Sequence, residues 1–512
     1  MSNAETLRDL IDGGATEAVA LAAPESPNLT FGGLRRLCDE TAAALNRAGL
    51  GRNDRVAIVL PNGPAMAAAF VAIAGTAATA PLNPGYRTEE FDFYLTDLDA
   101  RALVVARGDD TPARAAAVAR GVPILELMVP PGAQAGQFTL DRTTAAPAAK
   151  PGLRVAGAAT AGDVALVLHT SGTTSRPKQV PLTHANLAAS ARAIGRTLRL
   201  SPSDRCLNIM PLFHIHGLVA AVSASLAAGG SVFCAPGFNA LKFFAWLAEA
   251  NPTWYTAVPT MHQAILSRAE RNPDIIANSR LRFIRSSSAS LPPSVMRELE
   301  AAFNAPVIES YGMTEASHQM TSNPLPPQAR KPGSVGVAAG PEVAIMNEGG
   351  GLLGRGGVGE IVIRGPNVTA GYHNNEAANA ANFTHGWFRT GDQGVLDGDG
   401  YLTITGRIKE LINRGGEKIS PREVDEVLMD HPAVDQVVTF ALPHDKLGEE
   451  VAAAVVLREG QQVNERELRD FAAKRLADFK VPRKIVFLPE IPKGATGKLQ
   501  RIGLAAKLGL AS

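Results

Sequence analysis

The feature that most constrains this chain is an alternation of short apolar runs with segments of helix length. "RVAIVLP" at 55–61 precedes an Ala-rich helical run, "ARALVVA" at 100–106 precedes "TPARAAAVAR", and "SVFCAP" at 231–236 precedes "LKFFAWLAEA". "LNIMPLFHIHG" at 207–217 leads into "LVAAVSASLAAG", and "WYTAVP", "LRFIRSSSAS" and "APVIESYG" continue the pattern. Parallel strands need a crossover between them, usually a helix, so the alternation predicts mostly parallel sheets covered by helices, an α/β fold. Ligands in such folds lie beyond the carboxyl ends of strands. The chemically unusual segments do follow apolar runs: "HTSGTTSRPK" after "ALVL", "SSSASLP" after "LRFI", and "YGMTE" after "APVIES".

From about residue 333 the texture changes. "GGGLLGRGGVGEIVIRGPNVTAGY" and "GVLDGDGYLTITGR" read as short strands joined by glycine turns, a barrel-like β subdomain. Beyond Arg407 a Gly-Gly turn, a helix and further strands form a compact terminal unit of about one hundred residues. The Ala-, Pro- and Gly-rich stretch at 131–157 reads as a surface connection.

Composition removes several function classes. Lys plus Arg number 50 against 49 Asp plus Glu, so with a net charge of +1 no global field favours nucleic acid or an anionic membrane. Cys38, Cys206 and Cys234 are far apart and show neither zinc nor disulfide spacing, which fits a reducing, cytoplasmic setting. "MSNAETLRDLIDGG" lacks the features of a secretory signal, and "LGLAS" is neither a prenylation box nor a peroxisomal address. "AMAAAFVAIAGTAATAPL" at 65–82 has nearly the length of a membrane span. Its Ala, Gly and Thr content and Pro81 favour a buried helix entering a short strand.

The richest segment is "LVLHTSGTTSRPKQVPLTHANL" at 166–187. It is not the usual P-loop, because no glycine precedes Lys178 and glutamine follows it. Its hydroxyls, Gly172, backbone amides and cation nevertheless suit the oxygens of a triphosphate. Taken alone it reads equally well as a solvated Ser/Thr loop. "ESYGMTE" adds a stacking aromatic in Tyr311, a close-approach Gly312, a hydroxyl in Thr314 and a carboxylate in Glu315 that suits magnesium. "WFRTGDQG" places Asp392 in a turn after a strand, where it can accept from ribose hydroxyls. Arg407 sits at a domain edge, and Lys498 in a glycine turn near the end. Singly, each is as readily a core residue, a turn residue or a solvated charge.

Together and in order, the Thr/Ser/Gly loop, "YGMTE", "TGD", "GRIKE" and the terminal "GK" resemble the acyl-adenylate-forming superfamily. This includes acyl-CoA synthetases, luciferases and nonribosomal adenylation domains, and the resemblance runs over about residues 29–499. It implies a large N-terminal adenylation domain, residues 1–408, and a small mobile α+β C-terminal domain, residues 409–512. It implies an acid–CoA ligase that forms an acyl-adenylate and then a thioester, with ATP and CoA as co-substrates and Mg2+ as cofactor. Thr170, Ser171, Gly172, Thr173, Thr174 and Lys178 would hold the β- and γ-phosphates. Ala289, Glu309, Ser310, Tyr311, Gly312 and Met313 would surround the nucleotide, with Tyr311 on adenine and Asp392 and Arg407 on the ribose. Lys498, Glu315 and Thr314 would be catalytic, with Glu315 also the metal ligand. Lys409 would be the hinge, and Gly415 and Gly416 would line the path of the CoA arm, where glycine lets the chain pass close to backbone. One departure stands out: Gln179 occupies the place where the family has glycine.

Substrate choice falls on "PLFHIHGL", "RSSSASL" at 285–291 and "YGMTEASHQM". A fatty-acid channel calls for small apolar residues. Here His214, Ser288, Ser290 and His318 suit a small acid with a second polar end, because a buried carboxylate needs donors or cations. "WYTAVPTMHQ", "LRFIRSSSASL" and "TEASHQMTSNPLP" are similar to the oxalate–CoA ligase subgroup. The implied reaction is oxalate, ATP and CoA to oxalyl-CoA, AMP and diphosphate. Malonate, a short monocarboxylate or transfer to a carrier protein are the alternatives, and a non-catalytic nucleotide-binding protein is the reading from another class. Lys498 is also a candidate for acetylation. Lys498→Ala is expected to abolish ATP–pyrophosphate exchange and spare thiolysis of supplied acyl-adenylate; equal loss of both would refute that division.

Overall fold

A computed structural model of the chain describes residues 6–142, 155, 157–170, 177–492 and 501–510. It divides into two compact units, residues 1–343 with 363–386, and residues 344–362 with 387–512.

The larger unit holds two helix-covered sheets. In one, the parallel strands Ile124–Met128, Ala102–Ala106, Arg55–Val59, Ala78–Pro81 and Val164–Thr170 lie side by side, with antiparallel strands Thr139–Arg142 and Lys178–Thr183 at the edges. In the other, Val307–Met313, Phe283–Ser286, Trp254–Ala257, Arg205–Asn208, Ser231–Cys234 and Val19–Ala23 run parallel, and His318–Ser322 returns antiparallel beside Val307–Met313. The predicted mostly parallel α/β architecture is therefore observed. Parallel strands are buried on both faces, which is why these runs read as continuous apolar sequence rather than alternation.

The helices obey local rules. His184–Thr197 begins at Thr183, whose hydroxyl accepts from the Asn186 amide while the Asn186 side chain caps Thr183 in return. Residues 65–82 form a helix, Pro64–Ala74, buried at every position from Met66 to Ala74, followed by the strand Ala78–Pro81. Among the described residues no helix is long and apolar enough to cross a membrane.

Two local expectations change, and one element is added. Lys178–Thr183 is a strand that folds back on Val164–Thr170, pairing Thr170 with Lys178 and His169 with Gln179, before the helix His184–Thr197 begins. "YGM" does not follow its strand but belongs to it, since the strand runs to Met313. Asp392 is not in a turn after a strand; it lies inside Trp387–Leu396, opposite Arg407, next to an irregularity in register. In each case the neighbouring antiparallel strand extends the ladder, and local turn chemistry does not report it.

The second unit has short strands joined by tight turns, then a sheet with helices. Trp387–Leu396 pairs antiparallel with Leu402–Arg407, and Glu342–Met346 with Leu352–Leu353, as the glycine-rich texture predicts. Further on, Val434–His444, Gly448–Leu457 and Lys484–Phe487 share a sheet packed with helices Pro421–Met429 and Glu465–Ala473 around Val424, Leu428, Val451 and Leu468. The two-residue hairpin between Ile412–Arg414 and Glu417–Ile419 has φ of +60° at Gly415 and +98° at Gly416. That left-handed pair is the geometry for which Gly-Gly is selected.

The close return of His318–Ser322 depends on Gly312. A Cβ built there would lie 1.7 Å from the His318 carbonyl oxygen, a backbone atom that cannot rotate away. Gly312→Ala is expected to force the strands apart, to lower stability by about 3 kcal/mol in denaturant unfolding of the larger unit, and to lose ATP turnover.

Candidate functional site

The Val307–Met313 strand, the short helical turn Thr314–Ala316 and the returning strand His318–Ser322 organise the candidate site within the larger unit. Ser317 and His318 bridge the turn with φ of +50° and +94°, and Ser288 on the neighbouring loop has +72°. Non-glycine residues seldom hold such angles, and clusters of them occur where a site imposes them.

On one side of this turn is a group gathered around Tyr372. Glu315 is buried, and its Oε1 accepts from the Tyr372 hydroxyl at 2.8 Å. Lys178 Nζ stands over the Tyr372 ring, 4.2 Å from its centroid. Burial and the Glu315 carboxylate both raise the Tyr372 pKa, so the phenol keeps its proton and remains a donor. The structure thus brings Lys178 and Glu315 onto one tyrosine that sequence reading did not single out, the lysine over its ring and the carboxylate at its hydroxyl. Thr170 is half-buried at the end of its strand, paired with Lys178. Ser171, Gly172, Thr173 and Thr174 lie outside the described residues, as does Lys498.

On the other side is a polar nest in the sheet's interior. Arg285 comes from Phe283–Ser286, a strand buried at every position, and sits in register with Thr256 and Ile308. Its guanidinium is fully buried. Nη1 donates towards His216 Nε2 at 3.4 Å, and Nη2 towards His318 Nδ1 at 3.5 Å and Gln319 Oε1 at 3.3 Å. Its Nε has no partner, and among the described residues no Asp or Glu forms an ion pair with it. Burial pulls its pKa down to about 9, so it remains a cation at neutral pH.

The nest also fixes a proton. Arg285 can only donate, so His216 Nε2 accepts, and Thr256 Oγ1 reaches the same nitrogen at 2.6 Å. The ring proton is thereby assigned to Nδ1, which faces Ser288 Oγ at 3.1 Å. Burial first, then the adjoining His318 and Arg285, holds the His216 pKa well below the usual range, and the ring is neutral. The His216 and His318 rings lie 4.9 Å apart.

Of the residues expected to select substrate, the structure brings Ser288 and His318 into this nest. His214 Nδ1 accepts from the His216 amide at 3.4 Å and adjoins it, while Ser290 and the exposed Ala289 lie farther along the serine loop. Glu309 supports that loop, its Oε1 accepting from the Leu291 amide at 3.0 Å. Ser310 is buried, and its carbonyl accepts from Ser287 Oγ at 3.0 Å; Tyr311, Met313 and Thr314 are half-buried.

His216, Arg285 and Gln319 lie within the three segments expected to choose the acid but were given no individual role, and Tyr372 was missed altogether. A signal existed for Arg285, the one charge inside the apolar run "LRFIRS" beyond its edge. Tyr372 offered none, being distant in sequence from every motif.

In the second unit Arg407 Nε meets Asp392 Oδ1 at 3.0 Å, with Asp392 buried and Arg407 half exposed. The two expected ribose contacts are thus neighbours across one strand pair. Lys409 is exposed in the short turn Ile408–Glu410, and Gly415 and Gly416 are exposed at their hairpin tip. The described residues contain no cluster of three or more His, Cys, Asp or Glu able to hold a metal by themselves.

With this geometry in place, comparisons with known proteins identify the chain. The family model of the AMP-binding enzyme matches residues 13–373, and that of the AMP-binding enzyme C-terminal domain matches residues 423–498. The chain is 45% identical over 508 residues to an oxalate–CoA ligase of Arabidopsis thaliana, covering 98% of both chains. It is 44% identical over 475 residues to an oxalate–CoA ligase of Saccharomyces cerevisiae, covering 88% of this chain and 86% of that one. Among solved structures, ATP-bound MatB from Rhodopseudomonas palustris superposes with a TM-score of 0.87 at 30% identity, covering 98% of both chains. The chain belongs to the AMP-binding enzyme family and is an acid–CoA ligase.

Proposed function

We propose that the acid this ligase activates is oxalate, and that Arg285 binds its second carboxylate. One observation carries the reading: a fully buried guanidinium with only long, neutral contacts and no carboxylate counter-ion among the described residues. An unpaired buried cation is costly, and a carboxylate supplied by the substrate would offset that cost. Neutral His216, with Ser288 and Gln319, adds hydrogen-bonding groups without adding like charge. The oxalate–CoA ligases at 44–45% identity support the same choice, with malonate the nearest rival.

The reaction then runs in two steps. A carboxylate oxygen attacks the α-phosphorus of ATP and pyrophosphate leaves; the CoA thiol then attacks the acyl carbon and AMP leaves. The first step joins two anions, so cations must offset their repulsion. Lys178, with Thr170, Ser171, Gly172, Thr173 and Thr174, would hold the departing phosphates, and Lys498 would bridge the carboxylate and α-phosphate. Thr314, Glu309, Ser310, Met313, Gly312 and Ala289 would border the nucleotide, Tyr311 would stack on adenine, and Asp392 and Arg407 would take the ribose. His214 and Ser290 would flank the acid. Glu315, a single buried carboxylate oriented by Tyr372, suits Mg2+, which takes few protein ligands when phosphates are present. When bound, the ion would neutralise triphosphate charge. Residues 409–512 would turn about Lys409 between the two steps, bringing Gly415 and Gly416 to the CoA arm. A cytoplasmic setting is supported by three free, buried cysteines.

The test is CoA-dependent AMP formation with oxalate, malonate, acetate and a medium-chain fatty acid. A clear preference for oxalate is expected; activity confined to fatty acids would overturn the assignment of Arg285, His214 and His318. Arg285→Met should keep the fold, since removing an unpaired buried charge is readily tolerated. It should raise KM for oxalate roughly 100-fold while changing acetate turnover little. Equal effects on both acids would refute the anchor.

A further inference from the structure

We propose that Gln179 is a positioning residue for ATP, locking the base of the phosphate hairpin so that Lys178 is held over Tyr372. The inference rests on the reading that Lys178 serves the ATP phosphates. It concerns a position where this chain departs from the glycine of the family it resembles.

Successive side chains of a strand point to opposite faces. Lys178 and Gln179 show this: Lys178 reaches Tyr372, which in turn donates to Glu315, while Gln179 turns inward and is 6% exposed. Every hydrogen-bonding group of the Gln179 amide is engaged by another element. Its Nε2 donates to the Asp97 carbonyl at 2.5 Å and to Asp97 Oδ2 at 2.8 Å, at the end of the helix Thr88–Asp97. Its Oε1 accepts from Arg55 Nη1 at 3.1 Å, and the same nitrogen donates to the Leu98 carbonyl. Arg55 Nη2 is 2.9 Å from His373 Nε2, and the His373 amide donates to the Gln179 carbonyl at 3.1 Å. His169, directly across the hairpin from Gln179, places Nε2 2.9 Å from the same Asp97 Oδ2.

The consequence is geometric. Gln179 joins the hairpin to the Thr88–Asp97 helix and, through Arg55 and His373, to the segment that carries Tyr372. Lys178 and the ring beneath it are therefore held from one buried amide. A residue that merely filled space would not need its donors and acceptor matched to a carboxylate, a carbonyl and a guanidinium. A glycine here would leave Asp97 and Arg55 to find other partners and would free the strand at the position next to Lys178.

The experiment measures ATP affinity of the full chain by calorimetry, alongside KM for ATP and for the acid and the rate of thiolysis of supplied acyl-adenylate. Gln179→Ala and Gln179→Gly should weaken ATP binding about 10-fold and leave the KM for the acid and thiolysis within about 2-fold. Gln179→Glu should be worse, because it sets a second carboxylate against Asp97. Adding Asp97→Asn to Gln179→Glu should recover part of the ATP affinity, since the asparagine amide removes the opposing charge and can donate to the introduced carboxylate. Unchanged ATP affinity in Gln179→Gly would overturn the proposal. So would a uniform loss of every step with a lowered unfolding temperature, which marks a merely structural residue. Calorimetry reads ATP binding without turnover, so failure of the oxalate assignment would show separately, in the acid comparison alone.

Discussion

The contact between Gly312 and the His318 carbonyl is the constraint on which the rest of the site depends. A strand of the central sheet turns back on itself within a few residues, closer than any side chain at 312 would allow. That reversal sets Glu315 on the side of Lys178 and Tyr372, and His318 and Gln319 on the side of Arg285. Positive φ at Ser317 and His318 accompanies the tight path. Packing elsewhere must supply the free energy that holds such angles, and the surrounding strands, buried on both faces, are suited to that.

Electrostatics divides the larger unit's site into two kinds of environment. Around Arg285 there is a buried cation and two imidazoles, and burial keeps His216 neutral. The protein has built a place where negative charge is missing. Around Glu315 the balance is reversed: a carboxylate accepts from the hydroxyl of a protonated tyrosine, with a lysine over the ring. On the proposed reading, an acid with two carboxylates and a nucleotide with its cation would make complementary demands, and one short turn would serve both. The Gln179 network adds a third layer, in which a neutral amide links groups of both signs without a net charge of its own.

Much of this was legible from the chain. Alternating strand and helix signals forecast the parallel sheets, because burial on both faces leaves an unbroken apolar record. Thr183 with Asn186 marks a helix start, and Gly415–Gly416 marks a two-residue turn, since both are local stereochemical requirements. The serine loop and His318 were expected near one another, and Ser288 and His318 do meet around His216 and Arg285. The strand 178–183 and the strand around Asp392 were not legible, because turn-like composition masks pairing with the adjacent strand, and the place of Tyr372 was not, because Glu315 and Lys178 are far from it in sequence.

The sequence by itself determined the fold class, the order of the motifs and the chemistry they can support, because side-chain type and local periodicity carry that information. Only the tertiary structure decided which groups face one another: Arg285 against two imidazoles rather than a carboxylate, Tyr372 between Lys178 and Glu315, and Gln179 at the junction of hairpin and helix. The physical reason is that charge pairing, hydrogen-bond satisfaction and pKa depend on distance and burial, and these exist only once remote strands have packed together.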